Sequence, residues 1–247
     1  MKLRSWLGLL VLAGALAGCA TAPPYDPFLI PEAQFRAKVK RIALAPLAVP
    51  PQLGVAEPAK LRFDALIEAK LREAGFVTLP AKDWGETFAR IQKEAGGIFD
   101  PNTGRLDDAK INAILARTAT EVGQRFPLDG ILFPRVHVVN ANWSSASASW
   151  DGVSEMLASG AGLLGTPNAS GTIPALSLVV SINAAAPENP SYYRHQGGIQ
   201  VLQKLRPISE RFSSGIFGPV PREQLLANDE RNRGAIDVAL GALLKKP

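Results

Sequence analysis

The sequence predicts an α/β fold, a mixed β-sheet with helices packed on it in the order βαβααβββα. Three patterns carry that expectation. Ala59, Phe63, Leu66, Ile67, Leu71 and Ala74 recur at spacings of three and four, the period of a helix that buries one stripe. From Ile173 to Asn183 the residues alternate, with Leu176, Leu178, Val180 and Ile182 on one side and Ser177, Val179, Ser181 and Asn183 on the other. That is the period of a half-buried strand. Helical and strand patterns also take turns along the chain, as they do when helices are layered on a sheet.

The first residues belong to a different category. Lys2 and Arg4 are followed by an apolar run from Trp6 to Ala17, too short to span a bilayer but suited to an export signal. The run ends in Leu16-Ala17-Gly18-Cys19, and Cys19 is the only cysteine of the 247 residues. This arrangement resembles a bacterial lipoprotein signal. The resemblance implies cleavage after residue 18, lipid on the Cys19 sulfur and on the new amino terminus, and an anchored product facing the periplasm. No Asp follows Cys19, which by the usual sorting rule implies the outer membrane. Several acyl chains hold far better than one, each buried methylene adding about 0.8 kcal/mol. With Cys19 lipidated, no thiol remains for a disulfide or redox centre.

Residues 19–38 read as the lipidated cysteine and a tether, because the prolines between Ala20 and Pro31 favour extended chain. Residues 39–247 read as one α/β domain. Lys40 to Val49 is the first strand, stopped by Pro50-Pro51. The striped helix follows, with Arg62, Asp64, Glu68 and Arg72 on its wet side and Gly75 where its exit needs positive φ. Phe76 to Leu79 is the second strand. Asp83 is the expected N-cap of a helix reaching Glu94, and Asp100 to Gly104 is a turn. Asp107 and Asp108 suit the positive end of the next helix, and Gly123 suits its exit. Asp129 to Asn140 is a strand apolar on both sides. Ile173 to Asn183 and Tyr192 to Arg206 form a hairpin. Asn228 or Asp229 caps a closing helix.

The formal charge of +5 includes Lys2 and Arg4, and the remaining basic residues are scattered. Arg36 to Arg41 is the tightest cluster and reads as a solvated strand edge, so no nucleic-acid partner is expected. No cofactor or metal is expected either. Gly160-Ala161-Gly162-Leu163-Leu164-Gly165 spells G-x-G-x-x-G, but no strand precedes it and no helix follows, so it reads as loop. His137 and His195 lie on different strands without close ligand spacing. They support an enzyme only if adjacent strands bring them together with Asp151 or Asp129.

Residues 141–171 are the candidate partner-facing region. Trp143 and Trp150 flank a Ser/Ala run, then Asp151-Gly152 leads into small residues with Leu163 and Leu164. A long loop in a compact domain is often functional. Two readings stand. One is a hairpin extension whose tryptophans cover the end of the sheet. The other is a loop presenting Trp143, Trp150, Asp151, Leu163 and Leu164 to a partner or membrane.

The stretch Val39-Lys40-Arg41-Ile42-Ala43-Leu44-Ala45-Pro46-Leu47, with the helix that follows and Gly75-Phe76-Val77-Thr78-Leu79-Pro80, is similar to the opening of a group of envelope proteins. The group comprises lipoproteins related to the curli secretion channel, the lipoprotein activator of a penicillin-binding protein, and the amino-terminal domain of the Tol propeller protein. The resemblance covers residues 39–80 closely and the later strand order loosely. It implies an α/β domain that works through protein contacts without a cofactor, and it carries over no catalytic residue. The expected activity is therefore that of a non-catalytic envelope binding or assembly module with another envelope protein as partner. A self-associating, channel-like lipoprotein is the second reading, and a periplasmic hydrolase using His137 and His195 the third.

Overall fold

The computed structural model describes residues 25–158, 169–185, 190–207, 209–211 and 215–245. The fold is α/β, a mixed sheet of seven strands packed with helices. Strand β1 (Arg41–Leu44) lies parallel between β2 (Val77–Leu79) and the first residues of β3 (Gly130–Ser144). Along its whole length β3 runs antiparallel to β6 (Ser170–Ala184), which pairs in turn with β7 (Ser191–Val201). At its far end β3 also pairs with β4 (Ser147–Trp150), and β4 with β5 (Val153–Met156). A separate ribbon joins β8 (Gln203–Leu205) to β9 (Phe217–Pro219).

The sheet has one helical face and one face that is only partly covered. On the first lie α1 (Glu32–Lys38), α2 (Glu57–Glu73), α5 (Asp229–Ala239) and α6 (Gly241–Leu244). Phe63, Ile67 and Leu71 of α2 pack there with Ile42, Leu44, Leu132, Leu178 and Val180 of the strands. These are the residues that the helical and strand periods single out. On the second face α3 (Ala81–Glu94) and α4 (Asp108–Arg125) cover only the β1 end, through Trp84 and Val122 against Ala43 and Ile131.

Local chemistry sets the ends of the elements. Gly75, at φ +88°, closes α2 where a side chain would be strained. The Asp107 and Asn228 side chains cap α4 and α5 by accepting from the N–H groups of Lys110 and Arg231. Asp129 ties the start of β1 to the start of β3. Its carboxylate accepts from the N–H groups of Lys40 and Arg41 and pairs with the Arg41 guanidinium at 2.9 Å. Burial alone would raise this carboxyl, but the Arg41 and backbone hydrogen bonds outweigh it and hold it below its usual value.

Several expectations need correction. Asp64 is not on the wet side of α2 but buried, because the loop after β1 closes over it and Leu47 N–H donates to its Oδ1 at 2.9 Å. Asp83 does not cap α3; the helix starts at Ala81 behind Pro80, without a side-chain cap. Helix α4 runs past Gly123 to Arg125. The last part of the supposed tether is folded structure. Phe35 of α1 is fully buried, and Phe28 bridges Tyr193 on the edge of β7. After Val201 the chain leaves the sheet, so Gln203 to Leu205 pairs with β9 instead of extending the hairpin.

Residues 141–158 are the hairpin extension. Two two-residue turns fold β3, β4 and β5 back on one another. Ser145 has φ +55° in the first, and Asp151 and Gly152 have φ +41° and +77° in the second. Two successive positive φ values give the twist a tight hairpin needs. The ribbon curls over the second face until β5 meets β7. There Gly198 N–H donates to the Asp151 carbonyl at 3.0 Å and Val201 N–H to Glu155 Oε2 at 2.8 Å. Trp143, Trp150, Leu157, Ile173, Ala175 and Val201 fill this roll. Closure needs Gly198, since a Cβ there would stand 2.2 Å from Val153 Cγ2 and 2.7 Å from Trp150 Nε1.

Candidate functional site

Between α4 and the roll, the middle of the second face forms a groove of about 340 Å³. Its floor follows from strand register. Phe133 on β3, Ser181 on β6 and Arg194 on β7 form one row across the strands. Arg135, Val179 and Gln196 form the next, and His137 and Ser177 the third. Side chains directly opposite in a sheet share a face, and neighbouring strands are about 4.8 Å apart. Arg135 and Arg194 therefore stand on the two sides of β6, about two strand spacings apart, with Ser181 and Val179 between them. Asn112 and Leu115 of α4 form a wall, and Asn183 and Ser191 close one end. Arg135, His137 and Arg194 are exposed. None of the three side chains has an ion-pair or hydrogen-bond partner among the described residues. Asn183 Oδ1 is buried without a hydrogen-bond partner.

A second pocket, about 580 Å³, opens at the β7 edge and is lined by Tyr25, Asp151, Gly152, His195, Gln196 and Val238 together with Arg194. The Tyr25 ring stacks on His195 at 5.4 Å. Burial lowers the His195 imidazole, the nearby Asp151 charge works in the opposite direction, and Nδ1 is buried without a partner. The Asp151 carboxylate accepts hydrogen bonds from Ser177 Oγ and, at 2.7 Å, from Gln196 Nε2.

The residues singled out in the sequence are thus dispersed. Trp143 and Trp150 are each 8% exposed and pack inside the roll. The Trp150 Nε1–H group donates to the Leu176 carbonyl at 3.1 Å, which fixes its ring inside. Asp151 does reach a pocket, at the turn between β4 and β5. His137 and His195 do not meet. His137 is opposite Ser177 and His195 opposite Val180, so they occupy opposite faces of the sheet. Asp129 is engaged with Arg41. Ser177 is fully buried and donates to Asp151, whereas a nucleophilic serine gives its proton to an imidazole. Among the described residues no three His, Cys, Asp or Glu side chains gather as a metal ion requires. Cys19, Leu163, Leu164 and the glycines of Gly160 to Gly165 lie outside the described residues.

Sequence reasoning misses Arg135 and Arg194. Each looks like an ordinary solvated strand residue, and only the pairing of β3, β6 and β7 puts them on one groove. The Asp151-Gly152 dipeptide does carry a signal for the roll, since Asp-Gly between short alternating segments marks a two-residue hairpin. Among the described residues no helix is long and apolar enough to cross a membrane. The chain matches no protein-family model, no curated protein and no solved structure.

Proposed function

We propose that this chain is a lipoprotein, anchored through Cys19 in the outer membrane and facing the periplasm. It works without catalysis, by holding another envelope protein on the uncovered face of its sheet. The observation that carries this reading is the asymmetry of the sheet. One face is closed by α2 and α5, while the other is left bare over its middle, where a walled groove presents charged and polar side chains. A sheet with a complete core on one side has no structural need of such a groove, and concave surfaces where polar groups converge are where binding concentrates. The sealed roll bears on the self-associating alternative. The far ends of β3 and β6, which as a free hairpin could pair with other copies, are folded over their own core.

The short tether limits how far the domain can stand from the membrane. Residues 20–24 connect Cys19 to Tyr25, and Tyr25 is held to β7 by its hydroxyl, which donates to the Arg194 carbonyl at 2.7 Å. A chain of that length spans at most roughly 20 Å. The β7 edge would therefore stand within that distance of the lipid surface.

The test is fractionation and cross-linking of the full-length protein in cells. Cys19→Ser is expected to release it from the outer-membrane fraction. The lipidated parent is expected to give a discrete adduct with a different envelope protein, identified by mass. A ladder of self-adducts would favour the channel-like alternative, and unchanged fractionation of Cys19→Ser would remove the anchor from the account.

A further inference from the structure

We infer that the groove on the uncovered face is a binding site for a phosphate group, with Arg135 and Arg194 as its two clamps. The inference rests on the proposal that this face is the working surface, and it names the chemistry recognised there. Three features support it. First, two guanidinium groups rise from strands on either side of β6 and have no anionic partner among the described residues. Some other surface arginines are paired, as in Arg90 with Glu94 and Glu121 or Arg117 with Glu94, and others such as Arg62 and Arg233 are not; what sets Arg135 and Arg194 apart is that both line one groove. Two unmatched cations facing one cavity repel each other weakly through water, and an anion between them removes that repulsion.

Second, the lining holds further hydrogen-bonding groups: the Asn112 and Asn183 amides, the Ser181 and Ser191 hydroxyls and the His137 ring. A carboxylate is planar, and its two oxygens suit one bidentate arginine approaching in that plane. A phosphate ester offers several tetrahedrally arranged acceptor oxygens, so it can use two arginines approaching from different sides together with neutral donors. The Asp151 carboxylate keeps its charge while it accepts from Ser177 and Gln196, but it lies outside the lining of this groove.

Third, Leu115, Phe133 and Val179 supply apolar surface beside the charged groups, and the volume, about 340 Å³, suits a small esterified group. The phosphate can belong to a soluble ester or to a phospholipid headgroup. With Cys19 lipidated, the short link to Tyr25, whose hydroxyl donates to the Arg194 carbonyl, would keep this strand edge within reach of headgroups and bring the lipid source into range.

The experiment is calorimetric titration of the full lipidated chain in a non-ionic detergent, at constant ionic strength set with sodium chloride. The probes are glycerol 1-phosphate and a short-chain phosphatidic acid below its micelle concentration. The variants are Arg135→Gln and Arg194→Gln, with Lys82→Gln on the exposed side of α3 as control, and circular dichroism checks that all are folded. Saturable binding that weakens at least about tenfold with each arginine change, but not with Lys82→Gln, is expected. Tighter binding of the phosphatidic acid supports the site with a lipid headgroup as ligand, and equal binding supports it with a soluble ester. Absence of saturable binding by both probes, or binding that survives both arginine substitutions, overturns the inference. Partner capture on this face would persist in that event, so the two readings fail separately.

Discussion

Replacing Asp64 by Asn should make the protein more stable at pH 8 and nearly abolish one component of its pH dependence. Asp64 lies in α2 at 7% exposure and accepts Leu47 N–H, without a cation in ion-pair contact. Burial raises its carboxyl to about 7; the Leu47 hydrogen bond lowers it, Glu57 raises it, Lys60 lowers it and Glu68 raises it. In the unfolded chain the group titrates near its ordinary value of 3.8. The folded protein therefore holds this proton more tightly than the unfolded one. The resulting stability is complete below the unfolded value and is lost as pH rises through about 7. Between pH 5 and pH 8 the loss runs over the two pH units below that point, about 2.7 kcal/mol at about 1.36 kcal/mol for each. Water reaching the site would reduce this toward about 1 kcal/mol. The amide introduced by Asp64→Asn keeps an acceptor for Leu47 N–H and carries no charge at any pH. Urea unfolding of both proteins at pH 5 and pH 8, in the unlipidated Cys19→Ser background, measures the difference. Equal stability changes between the two pH values in parent and variant would refute the reasoning.

Two further predictions concern the roll. Gly198→Ala places a Cβ against Val153 and Trp150, so β5 must leave β7. A loss of about 2–4 kcal/mol and a red shift of tryptophan emission are expected by denaturant titration and fluorescence, and an unchanged spectrum would contradict this closure. Glu155 faces Lys204 at 2.7 Å and Arg231 at 2.9 Å and also accepts from Val201 N–H, tying the roll to α5. Glu155→Gln leaves two cations without their counter-charge and should cost about 1–2 kcal/mol, with part of the effect screened at the half-exposed cation ends. Equal urea midpoints for parent and variant would show that the ion triad contributes nothing.

How much of this is legible in the sequence depends on distance along the chain. The stripe Phe63, Ile67, Leu71 and the alternation of β6 are readable because each is a local period fixed by one element's geometry. Asp64 is misread because its neighbours in sequence do not bury it; the loop through Leu47 does. Strands β4 and β5 escape notice because Ser147, Ala148 and Ser149 lack the branched and aromatic character that marks most strands. Small residues are what a tight roll around Trp143 and Trp150 can accommodate. The groove is least legible, since only two long-range pairings bring Arg135 and Arg194 to the two sides of β6.

The claim that the uncovered face holds a partner is tested most directly by site-specific photo-cross-linking in cells. A photoreactive residue replaces Ser181 on the groove floor in one version of the full-length protein, and Arg62 on the outer side of α2 in another. The account predicts a discrete adduct with one other envelope protein from position 181 and none from position 62. Adducts from position 62 alone, or the same adducts from both, would contradict it.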